Sequence, residues 1–223
     1  MKIDFVTLFP DMFPSIMDAS ILGRAREKGL LEWGCVNPRD FSEQKHRKVD
    51  DRPFGGGPGM VMMAEPLEKA VKSVKNKDTK VIFLSPQGET FTDRKASQLA
   101  KNKHLVFVCG HYEGVDERVL DLFDEELSIG DYVLTGGELP AMVVADAVAR
   151  KLPGIFMKED AAESESFVSG LLDFPQYTRP RVWRGREVPE ILFSGDHMKI
   201  AEWRRKAARA ATKRKRPDLM SRA

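Results

Sequence analysis

A chain of 223 residues that is 42 % hydrophobic can bury one large core, or one medium and one small. Its net charge of +2 conceals an asymmetry: Lys199 to Arg216 carries nine Lys or Arg against the single acid Glu202, leaving the rest of the chain near −6. A basic end on an acidic body suits a protein that holds a polyanion at one place, although a solvated helix face would carry the same charges. No run approaches the roughly 18 apolar residues of a membrane helix. The apolar stretch Met1 to Phe9 is too short for a secretion signal and runs straight into Pro10 and Asp11. The two cysteines, Cys35 and Cys109, lack the paired spacing of a zinc site or a disulfide framework. A cytoplasmic protein with no membrane role is therefore expected.

In chain order, Lys2 to Leu8 reads as an opening strand. The apolar runs Val81 to Leu84 and Leu105 to Cys109 read as buried parallel strands, with helices over Leu67 to Lys75 and Thr92 to Ala100. Leu127 to Leu134 is a further strand, broken by Gly130 and Asp131 in a way that suits a loop facing a ligand. Leu139 to Leu152 is a helix with apolar residues nearly all round, and so a buried one. This alternation predicts an α/β fold with a mostly parallel sheet. After Pro153 and Gly154 the chain turns polar, and Lys158 to Ser166 has little to bury. Phe174 to Pro189 reads as irregular. A helix follows, capped by Ser194 or Asp196, with Ile200 and Trp203 facing inwards and Arg204, Arg205 and Arg209 outwards. The expected organisation is a large domain over 1–157, a linker over 158–170 and a small, basic, mainly helical domain over 171–223.

Four segments carry candidate chemistry. Asp50 to Met60 places Gly55, Gly56, Gly57, Pro58 and Gly59 in one loop whose backbone can approach a ligand closely. No Gly-Lys-Ser/Thr follows, so it is not a P-loop; flanked by His46, Arg47, Lys48 and Arg52, it could cradle RNA phosphates or bases, or be an ordinary tight turn. The other three are Leu84-Ser85-Pro86-Gln87-Gly88, Cys109 to Arg118, and Ser128 to Pro140. Each follows or interrupts a predicted strand and carries glycine at its tip. Ligands of open α/β sheets sit at the carboxyl ends of strands, so the three could build one pocket. No Gly-x-Gly-x-x-Gly opens a helix, which argues against the usual dinucleotide-type arrangement.

These segments, with Leu8-Phe9-Pro10-Asp11-Met12-Phe13 and Gly170-Leu171-Leu172-Asp173-Phe174-Pro175-Gln176-Tyr177-Thr178-Arg179-Pro180, closely resemble the bacterial tRNA (guanine-N1)-methyltransferase family, in the family's order and from residue 1 to about Arg205. The resemblance implies a trefoil-knotted fold of the SPOUT methyltransferase class and a homodimer whose active site is shared between subunits. It implies an S-adenosylmethionine pocket at Leu84, Ser85, Pro86, Gly110, Tyr112, Glu113, Ile129, Gly130, Asp131, Tyr132, Val133, Leu134, Gly136, Gly137 and Pro140. Glycine-bearing loops can read the adenine edge there, while Tyr132, Leu134 and Pro140 supply apolar walls.

The implied reaction is methylation of N1 of the guanine at tRNA position 37, beside the anticodon, when guanine precedes it. That N1 carries a proton at neutral pH, so a general base is needed. The family's base is an aspartate before Ser-Phe; here the position is Glu165, a carboxylate of similar basicity on a longer stem, with Asp160 and Glu163 as nearby substitutes. Arg150 matches the arginine that stabilises charge on guanine O6; Asp146, four residues earlier, would also make it half of a helix ion pair. Glu113, with Glu165, is the expected partner of a magnesium ion. His111 stands where an arginine is common.

For the RNA, the chain offers His46, Arg52, the glycine loop Gly55 to Gly59, Arg179, Arg181, Trp183 and the basic terminal helix, which combine phosphate contacts with stacking on unpaired bases. The target base is expected to be flipped into a cleft between one subunit's knot and the other's small domain. Ending at Ala223, where many relatives continue, the small domain is expected to grip RNA with fewer elements. No DNA is expected as partner. Two other functions remain open: a knotted methyltransferase acting on another RNA position, and a non-catalytic RNA-binding protein.

Overall fold

A computed structural model describes residues 1–156 and 165–220. The chain divides into two compact units, Met1–Met157 and Lys158–Ala223.

In the first unit, Lys2–Val6 forms β1, Pro14–Met17 the single turn α1, Ser20–Glu27 the helix α2 and Glu32–Val36 the strand β2. Asp50–Asp51 (β3) and Val61–Met62 (β4) pair as an antiparallel hairpin. Then come α3 (Ala64–Val74), β5 (Thr79–Thr90), α4 (Asp93–Leu99), β6 (His104–Cys109), β7 (Glu125–Ser128) and α5 (Glu138–Ala149). Five strands make one sheet in the order β2-β1-β6-β5-β7, and every pairing is parallel. The expected α/β class with a parallel sheet is the class observed.

The sheet is covered on both faces, which is why its central strands read as continuous apolar runs. All six residues of β6 are buried. Side chains alternate across a strand: Leu105 and Phe107 share a core with Phe5, Ile82 and the α5 residues Ala141, Val144, Ala145 and Val148. Val106 and Val108 share the other core with Val81, Phe83 and the α3 residues Leu67, Ala70 and Val71. Each such Leu, Val or Phe contributes about 1.5–3 kcal/mol by leaving water. Asp4 is the one charged residue of β1 that is buried, and its carboxylate is met by His104 Nε2 at 2.8 Å and Lys2 Nζ at 2.9 Å. A buried carboxylate is tolerable on those terms.

The strand expected over Leu127 to Leu134 lies earlier, because Ser128 Oγ accepts from Gly130 N and donates to Gly130 O, both at 3.1 Å, and this turn ends β7. Among the elements that escaped the sequence reading are α2, which buries only Leu22 and Ala25, and β2, a half-buried edge strand interrupted by Gly34. Neither shows a long apolar period.

In the second unit, Glu165 to Gly170, the described end of the expected linker, form turns: Phe167 N donates to Leu171 O at 2.7 Å and Asp173 N to Ser166 Oγ at 2.9 Å. The stretch expected to be irregular contains a small hairpin, β8 (Val182–Trp183) with β9 (Arg186–Glu187), turned by Arg184 and Gly185, both at positive φ. Helix α6 (His197–Lys215) starts at the Asp196 cap, whose carboxylate accepts from Lys199 N at 3.1 Å, and α7 (Pro217–Met220) follows. Along α6, Ile200 and Trp203 are half-buried and Arg205 and Arg209 exposed. Arg204 is exposed as well, with its guanidinium over the Phe174 ring at 4.8 Å. Among the described residues no helix is long and apolar enough to cross a membrane.

Candidate functional site

Because every strand of the sheet runs the same way, the segments that follow β5, β6 and β7 emerge on one side of it. On β5 the pairing with β7 slips between Leu84 and Glu89, both of which face Leu127, so Ser85 to Gly88 bulge out of the ladder. After β6, His111 bridges to Gly136, and Gly137 N donates to Gly110 O at 2.8 Å. The segment after β7 thus crosses the end of β5 to reach the end of β6. The approach is close: a Cβ on Gly137 would stand 2.7 Å from Cys109 Cα and 2.9 Å from Gly110 N. Only glycine fits there.

These three segments enclose a cavity of about 360 Å³. Its lining includes Leu84, Ser85, Pro86, Gly110, Tyr112, Glu113, Ile129, Gly130, Tyr132, Val133, Leu134, Gly136, Gly137 and Pro140. Of the pocket residues named from the sequence, Asp131 alone is not in the lining; it follows the Ser128 turn with its side chain exposed. The walls also contain Gln87, His111, Gly114, Val115, Glu117, Leu120, Glu126 and Thr135, which the sequence reading did not assign to the pocket. Most of them sit within or beside the same three segments, so a wider reading of each loop would have reached them.

The cavity combines strained backbone, a buried unpaired ring nitrogen and apolar surface. Tyr112 adopts φ of 61°, a left-handed conformation that costs a bulky residue about 1–2 kcal/mol. His111 is packed between Phe9 and Tyr112, with ring centroids at 4.9 and 4.8 Å, and its buried Nδ1 has no hydrogen-bond partner. Tyr132 and Val133 are exposed at the rim. Beneath the site Glu138 is buried in the first turn of α5, where the helix dipole favours a carboxylate, and accepts from Thr7 Oγ1 at 2.8 Å. Burial, reinforced by Glu138, pushes the Cys109 thiol well above its ordinary value, so it is no nucleophile. At the far side, Asp116 caps the 3₁₀ turn Glu117–Leu122 and holds Arg118 in a two-point pair; that guanidinium brings its carboxyl down to about 2.

The glycine loop reaches this site by a route the sequence did not reveal. It closes the β3–β4 hairpin, and that hairpin is stitched to the Cys109–Arg118 segment: Glu113 N donates to Met60 O at 3.0 Å, Met62 N to Gly114 O at 2.9 Å, and Asp116 N to Met62 O at 2.9 Å. Gly55, Gly56, Gly57 and Gly59 all have positive φ, and the loop holds Phe54 fully exposed. Arg52, Pro58 and His46 are exposed too, His46 in a separate turn with φ of 62°.

Arg150, at the C-terminal end of α5, places its guanidinium 4.8 Å from the centre of the Phe156 ring. Glu165, Arg179, Arg181 and Trp183 belong to the second unit, where Arg181 lies over Phe193 and Arg184 over Trp183. Asp160 and Glu163 lie outside the described residues. Among the described residues no three His, Cys, Asp or Glu side chains are grouped to hold a metal ion, and Glu113 and Glu165, expected to hold magnesium, belong to different units.

Comparison with known proteins points one way. The family model described as tRNA (Guanine-1)-methyltransferase TrmD matches residues 1–222. A tRNA (guanine-N(1)-)-methyltransferase of Moorella thermoacetica is 56 % identical over 227 residues, covering 100 % of this chain and 91 % of its own. One from Dictyoglomus turgidum is 54 % identical over 220 residues, covering 99 % and 90 %, and one from Halalkalibacterium halodurans 53 % over 224 residues, covering 99 % and 91 %.

Proposed function

The chain belongs to the tRNA (guanine-1)-methyltransferase family, and on that premise we propose that it moves a methyl group from S-adenosylmethionine to N1 of the guanine at tRNA position 37 when guanine precedes it. The observation that carries this reading is the convergence of three strand-end segments on one cavity of about 360 Å³, lined by apolar residues such as Leu134 and Pro140 and by Gly110, Gly130, Gly136 and Gly137.

The sulfonium is an activated donor, so the protein's task is alignment and removal of one proton. Glu165 takes the N1 proton as the N–CH₃ bond forms and the S–CH₃ bond breaks. Arg150, obligately charged, stabilises the negative charge that moves onto guanine O6. No step is assigned to magnesium. His46, Arg52 and the Gly55–Gly59 loop, with Arg179, Arg181 and Trp183, contact the RNA; their exposure supports that role.

The same proposal includes a trefoil knot, a homodimer sharing its active site and a cytoplasmic location where tRNA is met. The crossing of the Ile129–Gly137 segment over the end of β5 supports the knot. The dimer is supported by large apolar side chains left exposed at helical spacing, Leu139 and Val143 on α5 and Phe9, Met12 and Ile16 before and in α1.

Incubation with methyl-labelled S-adenosylmethionine and unmodified tRNA transcripts tests the proposal. Label recovered as 1-methylguanosine from transcripts with adjacent guanines at 36 and 37, and not from those with adenine at 36, is expected. Ribose methylation, or binding without transfer, overturns it.

A further inference from the structure

The second unit contains a cavity of its own, about 530 Å³, lined in part by Arg179 and Arg181, to which the reading above gives a general RNA contact and no bound group. Its walls are aromatic and cationic: Phe174, Tyr177, Phe193 and Trp203, with Arg181 and Arg204. The guanidinium of Arg181 lies 4.7 Å from the Phe193 ring centre and that of Arg204 4.8 Å from Phe174, while Tyr177 and Trp203 tilt together at 6.4 Å.

Two features set it apart from an ordinary small core. The aromatics are not sealed in: Tyr177 is 48 % and Phe193 53 % exposed, so their ring faces meet solvent. Among the described residues no acid is ion-paired to these cations either; the ion pairs of this unit engage Lys199, Lys206 and Arg216. Three arginines, Arg179, Arg181 and Arg204, line one cavity. Their mutual repulsion makes this a poor device for stability and a good one for an anion. An arginine stacked on a ring keeps its outer N–H groups directed for hydrogen bonds to phosphate. The rings meanwhile offer flat apolar faces, which acidic side chains cannot use and a nucleobase can.

We propose that this cavity binds a single unstacked nucleotide of the RNA substrate other than the methylated guanine, its base against the Phe193 and Tyr177 faces and its phosphate on Arg181 and Arg204. Helix α6 and the Arg216 that follows it, with an excess of eight positive charges over Lys199 to Arg216, continue the phosphate track. The inference rests on RNA being the substrate, as proposed above, but not on methyl transfer taking place.

The test uses the full chain with Trp33→Phe and Trp183→Phe, so that Trp203 is the sole tryptophan emitter. It is titrated with a mixed-sequence single-stranded ten-nucleotide RNA, with inorganic polyphosphate of matched charge and with a polyglutamate peptide. The RNA is expected to quench Trp203 and the other two polyanions to leave it nearly unchanged. Phe193→Ala and, separately, Arg181→Ala should each weaken RNA binding by about tenfold, as loss of one stacking platform does. In methylation assays both should raise the KM for tRNA while sparing kcat at saturation. Both side chains are exposed, and unchanged melting of either variant shows that the fold survives. Equal quenching by polyphosphate or polyglutamate overturns the proposal, and so does parental RNA affinity in the two variants. Quenching without any methylated product leaves the cavity standing and overturns the enzymatic reading alone.

Discussion

Gly59 lies directly against the side chain of Glu113: a Cβ on Gly59 would stand 2.5 Å from Glu113 Cγ and 2.8 Å from Cδ. The glycine also has φ of 78°, which an L side chain adopts only under strain. Gly59→Ala should therefore swing Glu113 out of the cavity wall and strain the hairpin by about 1–2 kcal/mol. A calorimetric titration with S-adenosylmethionine is expected to show at least a several-fold loss of affinity. Parental affinity in the alanine variant would remove Glu113 from the pocket.

Gly137 is held against backbone, not against a movable side chain. Its substitution by alanine must pry the segment after β7 away from Cys109 and Gly110, breaking the 2.8 Å bond from Gly137 N to Gly110 O. The loss of that buried bond and the displaced packing should destabilise the protein by about 2 kcal/mol or more. Cofactor binding should fall by more than tenfold, whereas Gly55→Ala in the exposed loop should leave it within about twofold. Equal effects in the two variants would show that the crossing does not shape the cavity.

Removal of Arg150 addresses the chemical step. Arg150→Ala should leave S-adenosylmethionine affinity nearly intact and cut turnover by about a hundredfold or more, as loss of an oxyanion-stabilising donor does. Glu165→Gln should abolish turnover and Glu165→Asp preserve it. Should the glutamine variant turn over at the parental rate, another group takes the proton.

Asp116 predicts a dependence on acid. Arg118 holds its carboxyl at about 2, below its ordinary value, so the pair's contribution to stability is complete above about pH 5 and disappears as pH falls towards 2. Arg118 is largely exposed and solvent screens the pair, so the contribution is small. Asp116→Asn should lower the melting temperature by a constant amount from about pH 5 to 8, with the gap closing below about pH 4. A gap that widens in acid would reverse the assigned sign.

Local chemistry was readable from residue order. The buried strands β5 and β6 announced themselves as apolar runs because a parallel sheet covered on both faces admits nothing else. The pocket segments were legible because glycine after a strand marks where backbone approaches something closely, and the family motifs lie in those segments. Asp196 as the cap of α6 was legible for the same local reason, a side chain bonding to an amide three residues on.

Long-range pairing was not. Nothing near Met60 says that it will accept a hydrogen bond from Glu113, fifty-three residues away, and nothing near Gly137 says that Cys109 will press against it. Edge strand β2 and the β8–β9 hairpin were equally silent, since half-exposed strands carry no apolar run to betray them. Aromatic and arginine side chains from Phe174 to Arg204 were visible one by one, yet their gathering around a cavity depends on the fold of the second unit. Propensity and turn geometry act over a few residues, whereas a site is assembled by packing between segments distant in the chain, and that packing settles which glycine faces which carboxylate.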